Sequence, residues 1–179
     1  MKKYTHNRTR AFTLIELLVV ISIIALLASI VLSFLNVARS RARDAKRKND
    51  IHQIQTALEL YFSDHGEYPV SGGATYPAGP GWSDSGDASW TALQTLLSPY
   101  LSKLSKDPTD NGVFAGWGGF SYNYYSLLFG CNRGWYLITY QLENADGPDP
   151  GTKACDGTSF QYGGLGANTT IKTTGARSK

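Results

Sequence analysis

The sequence predicts an α+β fold, in which a long N-terminal helix packs against a small antiparallel β-sheet and its first half spans a membrane. Two observations lead to this fold. Residues 12–38 are almost entirely apolar and a helical repeat of apolar residues follows them, whereas aromatic and β-branched runs occupy the C-terminal half. The chain of 179 residues has room for the span and one small globular domain, not two.

The apolar segment is long enough to cross a bilayer. Residues 17–38 are 22 consecutive uncharged positions, about 33 Å as a helix. The only charge in residues 12–38 is Glu16, and a carboxylate at the start of an apolar span needs a partner because its desolvation is costly. The nearest candidate is the α-amine that a cut before Phe12 would create. An uncleaved anchor is one alternative, and a secretory signal peptide, with its shorter apolar region, is another.

The helix is predicted to continue beyond the span, because no proline or glycine occurs between residues 12 and 63. Residues 39–63 form an amphipathic continuation whose apolar stripe should bury against the sheet: Ile51, Ile54, Ala57, Leu58 and Tyr61. Within the span, small and polar residues recur on one side and favour close helix packing: Ser22, Ala25, Ser29, Ser33 and Asn36.

A charged segment, residues 39–50, follows the span. Arg39, Arg43 and Arg47 recur at four-residue steps, and their positive charges repel one another unless phosphates or acidic side chains neutralise them. We predict a solvated boundary in which these side chains reach lipid head groups. Ion pairs between subunits and DNA binding are the alternatives.

The remaining chain divides into three predicted segments: a loop at 64–88, a globular β-domain at 89–162 and a flexible tail at 163–179. Gly66 is suited to end the long helix, and residues 89–97 look like a short second helix. Within the β-domain, strands are predicted at 120–128 and 135–143, with a weaker one at 159–162.

The segment RTRAFTLIE, residues 8–16, resembles the class III signal of type IV pilins and pseudopilins, and the resemblance extends over residues 2–62. It implies a leader at residues 1–11, cleavage by prepilin peptidase between Ala11 and Phe12, and N-methylation of Phe12. Ala11 stands where the family usually has glycine. The resemblance also implies that residues 12–38 are the polymerisation helix and that Glu16 attracts the Phe12 amine of the adjacent subunit.

The same resemblance implies the protein's partners and location. Before assembly the subunit is a single-pass inner-membrane protein surrounded by lipid. An assembly ATPase and a platform protein then extract it into a helical homopolymer, which is a periplasmic or extracellular filament. A type IV pilus subunit is the first expectation and a secretion or competence pseudopilin is the alternative. A membrane-anchored binding domain that never polymerises is an alternative of another class.

Cys131 and Cys155 are the only cysteines, and two such residues usually pair outside the cytosol, as they do in many pilins. Two free thiols in a reducing cytosol are the alternative. A calcium site is a candidate at residues 143–149, where hard oxygen ligands lie near a glycine turn (Asn144, Asp146 and Asp149), although an exposed turn has the same composition.

No catalytic set is visible, and we predict neither an enzyme nor a cofactor. The three histidines are scattered, and no cysteine–histidine spacing suits zinc. Nucleic-acid binding is not expected, because the side chains beyond the basic leader sum to a charge of −1. Few basic residues remain on the globular part: Lys103, Lys106, Arg133 and Lys153.

Overall fold

The structure is a computed structural model that describes residues 12–72, 81–131, 133–164, 166 and 169–177. Its contacts divide the chain into two units, residues 1–39 and residues 40–179. Helix α1 (Leu14–His65) is 52 residues long, and its residues 14–39 make up nearly all of the described part of the first unit. Among the described residues, α1 contains the one stretch that is apolar and long enough to cross a membrane.

The second half of α1 carries the predicted apolar stripe into the domain core. All five residues of the stripe are buried: Ile51, Ile54, Ala57, Leu58 and Tyr61. The helix ends where the sequence indicates, because Gly66 adopts a φ of +72° and its N–H donates to the carbonyl of Phe62 at 2.8 Å. This left-handed glycine cap closes the last turn.

Helix α2 (Ala88–Leu97) confirms the predicted second helix and begins one residue earlier than expected. Asp87 caps it by accepting a hydrogen bond from the Ser89 N–H at 2.7 Å. Trp90, Leu93 and Leu97 form its buried face, which packs in the same core as α1. A short 3-10 helix, Ala115–Trp117, follows.

The main sheet has four antiparallel strands, in the order β1 (Ser83–Asp84), β2 (Asn123–Tyr125), β3 (Trp135–Gln141) and β6 (Ile171–Arg177). Strand β1 (Ser83–Asp84) lies within the segment predicted as a loop. Strands β2 (Asn123–Tyr125) and β3 (Trp135–Gln141) confirm the two predicted strands, but β2 is much shorter than expected. Its flanking backbone bonds to loops instead, for example Ser85 N–H to Tyr122 O.

The prediction of a flexible tail at 163–179 was wrong for residues 171–177, whereas residues 165, 167–168 and 178–179 lie outside the described residues. Residues 171–177 form strand β6, which pairs with β3 along all seven positions of that strand. Backbone hydrogen bonds of this kind need no apolar side chains, and for that reason the Gly/Thr-rich composition concealed the strand. Gly175 is required at its position, because a Cβ there would lie 2.0 Å from the carbonyl oxygen of Tyr136.

A second, two-stranded sheet joins β4 (Thr152–Lys153) to β5 (Ser159–Phe160), so the predicted third strand is real but belongs to a separate sheet. The predicted disulfide between Cys131 and Cys155 is confirmed, with 5.6 Å between the Cα atoms. It closes a sequence separation of 24 residues and anchors this region to the loop between β2 and β3.

The main sheet buries both faces, which follows from the alternation of side chains along its strands. Tyr124, Tyr136 and Ile138 face the core that contains α1 and α2. Tyr125, Trp135 and Leu137 face a second, aromatic cluster on the opposite side, which includes Phe160 of β5 and both disulfide cysteines. Seven of the ten residues in the two central strands are accordingly aromatic or aliphatic.

Candidate functional site

The start of α1 holds a reciprocal set of hydrogen bonds between Thr13 and Glu16. The Glu16 Oε2 atom accepts from the Thr13 N–H at 2.9 Å and from its hydroxyl at 2.8 Å, and the Glu16 N–H donates to the Thr13 hydroxyl at 3.2 Å. This is a capping box, which satisfies backbone donors that the first turn of a helix leaves free. The sequence pattern Thr-x-x-Glu before an apolar run is the signal that identifies this capping box.

The first half of α1 exposes its apolar side chains within a single chain. Leu14 is 87% exposed and Leu26 is 64% exposed, although both are fully apolar. The hydroxyls of Ser22 and Ser29 donate to the carbonyls of Leu18 and Leu26 at 2.8 and 2.7 Å, so each is satisfied inside its own helix. An apolar surface of this extent needs lipid or other helices to cover it.

Arg47 is fully buried, and acids of the globular domain surround it. Its guanidinium makes a two-pronged contact with the Asp107 carboxylate, at 2.7 and 3.0 Å. The remaining donors bond to Asp44 at 2.8 Å, Glu143 at 2.9 Å and the Thr109 hydroxyl at 2.7 Å, and the Phe120 ring lies 4.7 Å from the guanidinium carbon. The predicted contact with lipid head groups was therefore wrong for this residue.

Arg43 is likewise bound within the domain, through two hydrogen bonds to Glu143 at 2.6 and 2.5 Å. The Arg43 contact, assisted by Arg47 and opposed by burial, lowers the pKa of Glu143 to about 2. Burial raises the pKa of Asp44, but hydrogen bonds from the backbone of Glu143 and from Asn144 outweigh it, so that this pKa lies below its ordinary value. The carboxylates of Glu143 and Asp44 are thus held in their charged form.

The structure does not bring the three calcium candidates together. Asn144 bonds to Asp44 at 2.8 Å, and Asp146 forms an ion pair with Lys48. Asp149 is buried and accepts from the backbone N–H groups of Thr173 and Gly163 at 2.5 and 2.8 Å. Among the residues described, no three acidic, histidine or cysteine side chains are placed to share a metal ion.

Of the processing residues, Ala11 lies outside the described residues, and Phe12 is 76% exposed. Cleavage, methylation and the assembly role of Glu16 remain predictions at this point. No sequence pattern indicated that Asp107 and Glu143 would meet Arg47, since they are 60 and 96 positions away along the chain.

Comparison with known proteins identifies the family. Residues 6–32 match the family described as the prokaryotic N-terminal methylation motif. A type II secretion system core protein G of Vibrio cholerae is 30% identical over 118 residues, which are 62% of this chain and 71% of that protein. The chain belongs to the type II secretion system core protein G family. This confirms the resemblance to pilins and pseudopilins seen in residues 8–16.

Two further core G proteins match over about a third of this chain. The protein of Escherichia coli K12 is 38% identical over 65 residues, 36% of this chain and 45% of that protein. The protein of Pectobacterium carotovorum is 40% identical over 62 residues, 35% of this chain and 40% of that protein. The chain spans less than half the length of these two relatives. No solved structure gives a significant match.

Proposed function

We propose that this chain is a pseudopilin, a structural subunit of a secretion filament, and that it assembles through the first half of α1. The observation that carries the proposal is the methylation motif at residues 6–32, which overlaps the start of the apolar helix. The relatives, named as core proteins of type II secretion systems, favour a secretion filament over an adhesive pilus.

In this proposal the subunit is made with a leader, residues 1–11, and prepilin peptidase cuts between Ala11 and Phe12. Phe12 is then methylated on its new α-amine. The subunit waits in the inner membrane, where lipid covers the apolar surface of α1, and an assembly ATPase with its platform protein moves it into a periplasmic filament. The exposed apolar surface supports this sequence of environments, because first lipid and then neighbouring helices would cover it.

Glu16 has two tasks in this proposal. Within one chain its carboxylate completes the capping box with Thr13. In the filament it attracts the Phe12 amine of an adjacent subunit across an apolar surface. Such a pair adds little net stability after desolvation, but a charge left unpaired in that setting is costly, so misregistered docking is penalised.

Processing is tested by mass spectrometry of the protein purified from cells with and without prepilin peptidase. We expect the intact mass to lose residues 1–11 and gain one methyl group only when the peptidase is present. A protein that begins at Met1 under both conditions would overturn the proposal. It would support a membrane-anchored binding domain that never polymerises.

The role of Glu16 in assembly is tested by Glu16→Ala and Glu16→Gln. Glutamine can still serve in a capping box but carries no charge. We expect both variants to be inserted and cleaved but to form no filaments in electron micrographs of cells that overproduce the subunit. Filaments with Glu16→Gln but not with Glu16→Ala would mean that the cap, not the charge, is what assembly requires.

A further inference from the structure

Lys172, in strand β6, reaches into the loop that follows β3 and ends there almost fully buried. Its ammonium donates to the backbone carbonyls of three consecutive loop residues: Asp146 at 2.6 Å, Gly147 at 2.8 Å and Pro148 at 3.1 Å. An ammonium has three donors and no acceptor, so the three carbonyls use its whole bonding capacity.

Three carbonyl oxygens that converge on one point create a site for a cation, because their partial negative charges repel unless a positive group lies among them. The carboxylates of Asp146 and Asp149 add negative charge nearby. Burial is the largest effect and lowers the pKa of Lys172 below its ordinary value, although these two carboxylates oppose the shift. A metal ion could bind in such an environment, but here the Lys172 ammonium is the cation.

The loop held by Lys172 is also the loop that contacts α1. Asn144 bonds to Asp44, Glu143 to Arg43 and Arg47, and Asp146 to Lys48. Two backbone hydrogen bonds close the loop onto the segment before β6, from Asp146 N–H to Thr169 O and from Thr169 N–H to Gly147 O. The loop therefore joins the end of the sheet to the charged segment of the helix, and its conformation matters to both.

We propose that Lys172 is the built-in cation of this loop, and that its ammonium holds residues 146–148 in the place of a divalent metal ion. The globular domain then folds, and the loop is ordered, independently of calcium. The sequence suggested a calcium site in this loop from the side chains of Asn144, Asp146 and Asp149, which bind Asp44, Lys48 and backbone N–H groups instead. Lys172 binds the backbone carbonyls, which are the remaining oxygen ligands of the loop. The inference does not rest on filament assembly.

The first test uses the full-length protein in detergent, with hydrogen–deuterium exchange and thermal unfolding measured in EDTA and in about 1 mM CaCl₂, the weak end of known protein calcium affinities. We expect the same melting temperature and the same exchange in residues 143–149 under both conditions. Calcium-dependent protection of this loop in the unaltered protein would overturn the proposal. This arm requires no variant to fold.

The second test compares Lys172→Met with Lys153→Met in EDTA. Lys153 lies on β4 and its side chain is exposed, so it controls for the loss of one lysine. We expect Lys172→Met to speed exchange of the Asp146 and Thr169 amides about tenfold and to lower the melting temperature by about 3 °C. Lys153→Met should change neither. Equal exchange in the two variants would contradict a specific role for Lys172.

Discussion

The two halves of α1 use apolar residues in opposite ways. In the first half, residues such as Leu26 and Leu32 are more than 60% exposed, whereas Ile54 and Leu58 in the second half are fully buried. In the second half, the globular domain covers the apolar side chains. The apolar stripe is narrow there because only one face of the helix packs against the core. The first half is apolar on all sides, which is typical of a helix surrounded by lipid or by other helices.

The charged groups of the two halves also differ in where their partners lie. Glu16 finds its partner three residues away, in Thr13, so its capping depends on local sequence alone. Arg47 binds Asp44 three residues away, but its other two acidic partners, Asp107 and Glu143, lie far along the chain. In the first half, the polar groups are therefore paired within the helix, and other molecules must cover its apolar surface. In the second half, the charged groups are paired only when the domain folds.

Replacement of the buried arginine should have the largest effect on the second half. Arg47→Met leaves the carboxylates of Asp44, Asp107 and Glu143 without their central partner. Removal of one member of a buried ion pair typically costs about 3–5 kcal/mol. We expect the free energy of unfolding to fall by this order, measured by urea unfolding in detergent with tryptophan fluorescence as the signal.

Arg41→Met is the matched control, because Arg41 lies on the same helix segment and is exposed. It should change the free energy of unfolding by less than about 0.5 kcal/mol. If Arg47→Met were as stable as this control, the acids around Arg47 would have another source of compensation.

A leucine in each half tests the comparison directly. Leu58→Ala opens a cavity between α1 and the sheet and should destabilise the domain by about 3 kcal/mol. Leu26→Ala removes the same atoms from an exposed position and should leave urea unfolding of the domain unchanged. A similar loss in both variants would show that the two halves do not differ as described.

Acid should weaken the charged network. Because the folded-state pKa of Glu143 is about 2, below the ordinary value of 4.5, its stabilising contribution is fully present above about pH 5. It is lost progressively as the pH falls toward 2. We expect the melting temperature of Glu143→Gln to lie below that of the unaltered protein at pH 7, and the difference to shrink between pH 5 and pH 2. A difference that stays constant over this range would assign the stabilisation to packing.

Removal of the cap should have the smallest effect. Thr13→Ala breaks the capping box but leaves the Glu16 carboxylate, and loss of a cap costs about 1 kcal/mol locally. We expect faster amide exchange in the first turn of α1 in detergent, normal domain unfolding and continued filament formation. Thr13→Ser keeps the hydroxyl and should behave like the unaltered protein. Loss of filaments with Thr13→Ala would show that the cap is itself required for assembly.

Sequence patterns predicted the elements whose residues determine them locally. The stripe from Ile51 to Tyr61 follows the helical period, and the aromatic run at 135–143 predicted β3 almost to its ends. Strand β6 was missed, because residues 163–179 lack the apolar alternation that marks a strand, and residues 171–177 form a strand by pairing with β3. The calcium candidates were suggested by composition, which does not show which group the loop oxygens bind.

The sequence by itself determined the apolar span, the start and end of α1, the family and the pairing of Glu16 with Thr13, because these depend on neighbouring residues and their periodicity. Only the tertiary structure decided the partners of Arg47, the placement of Lys172 in the loop and the incorporation of β6 into the sheet. The physical reason is that charges and backbone edges are satisfied by whichever groups the fold brings within hydrogen-bonding distance, and that distance is unrelated to separation along the chain.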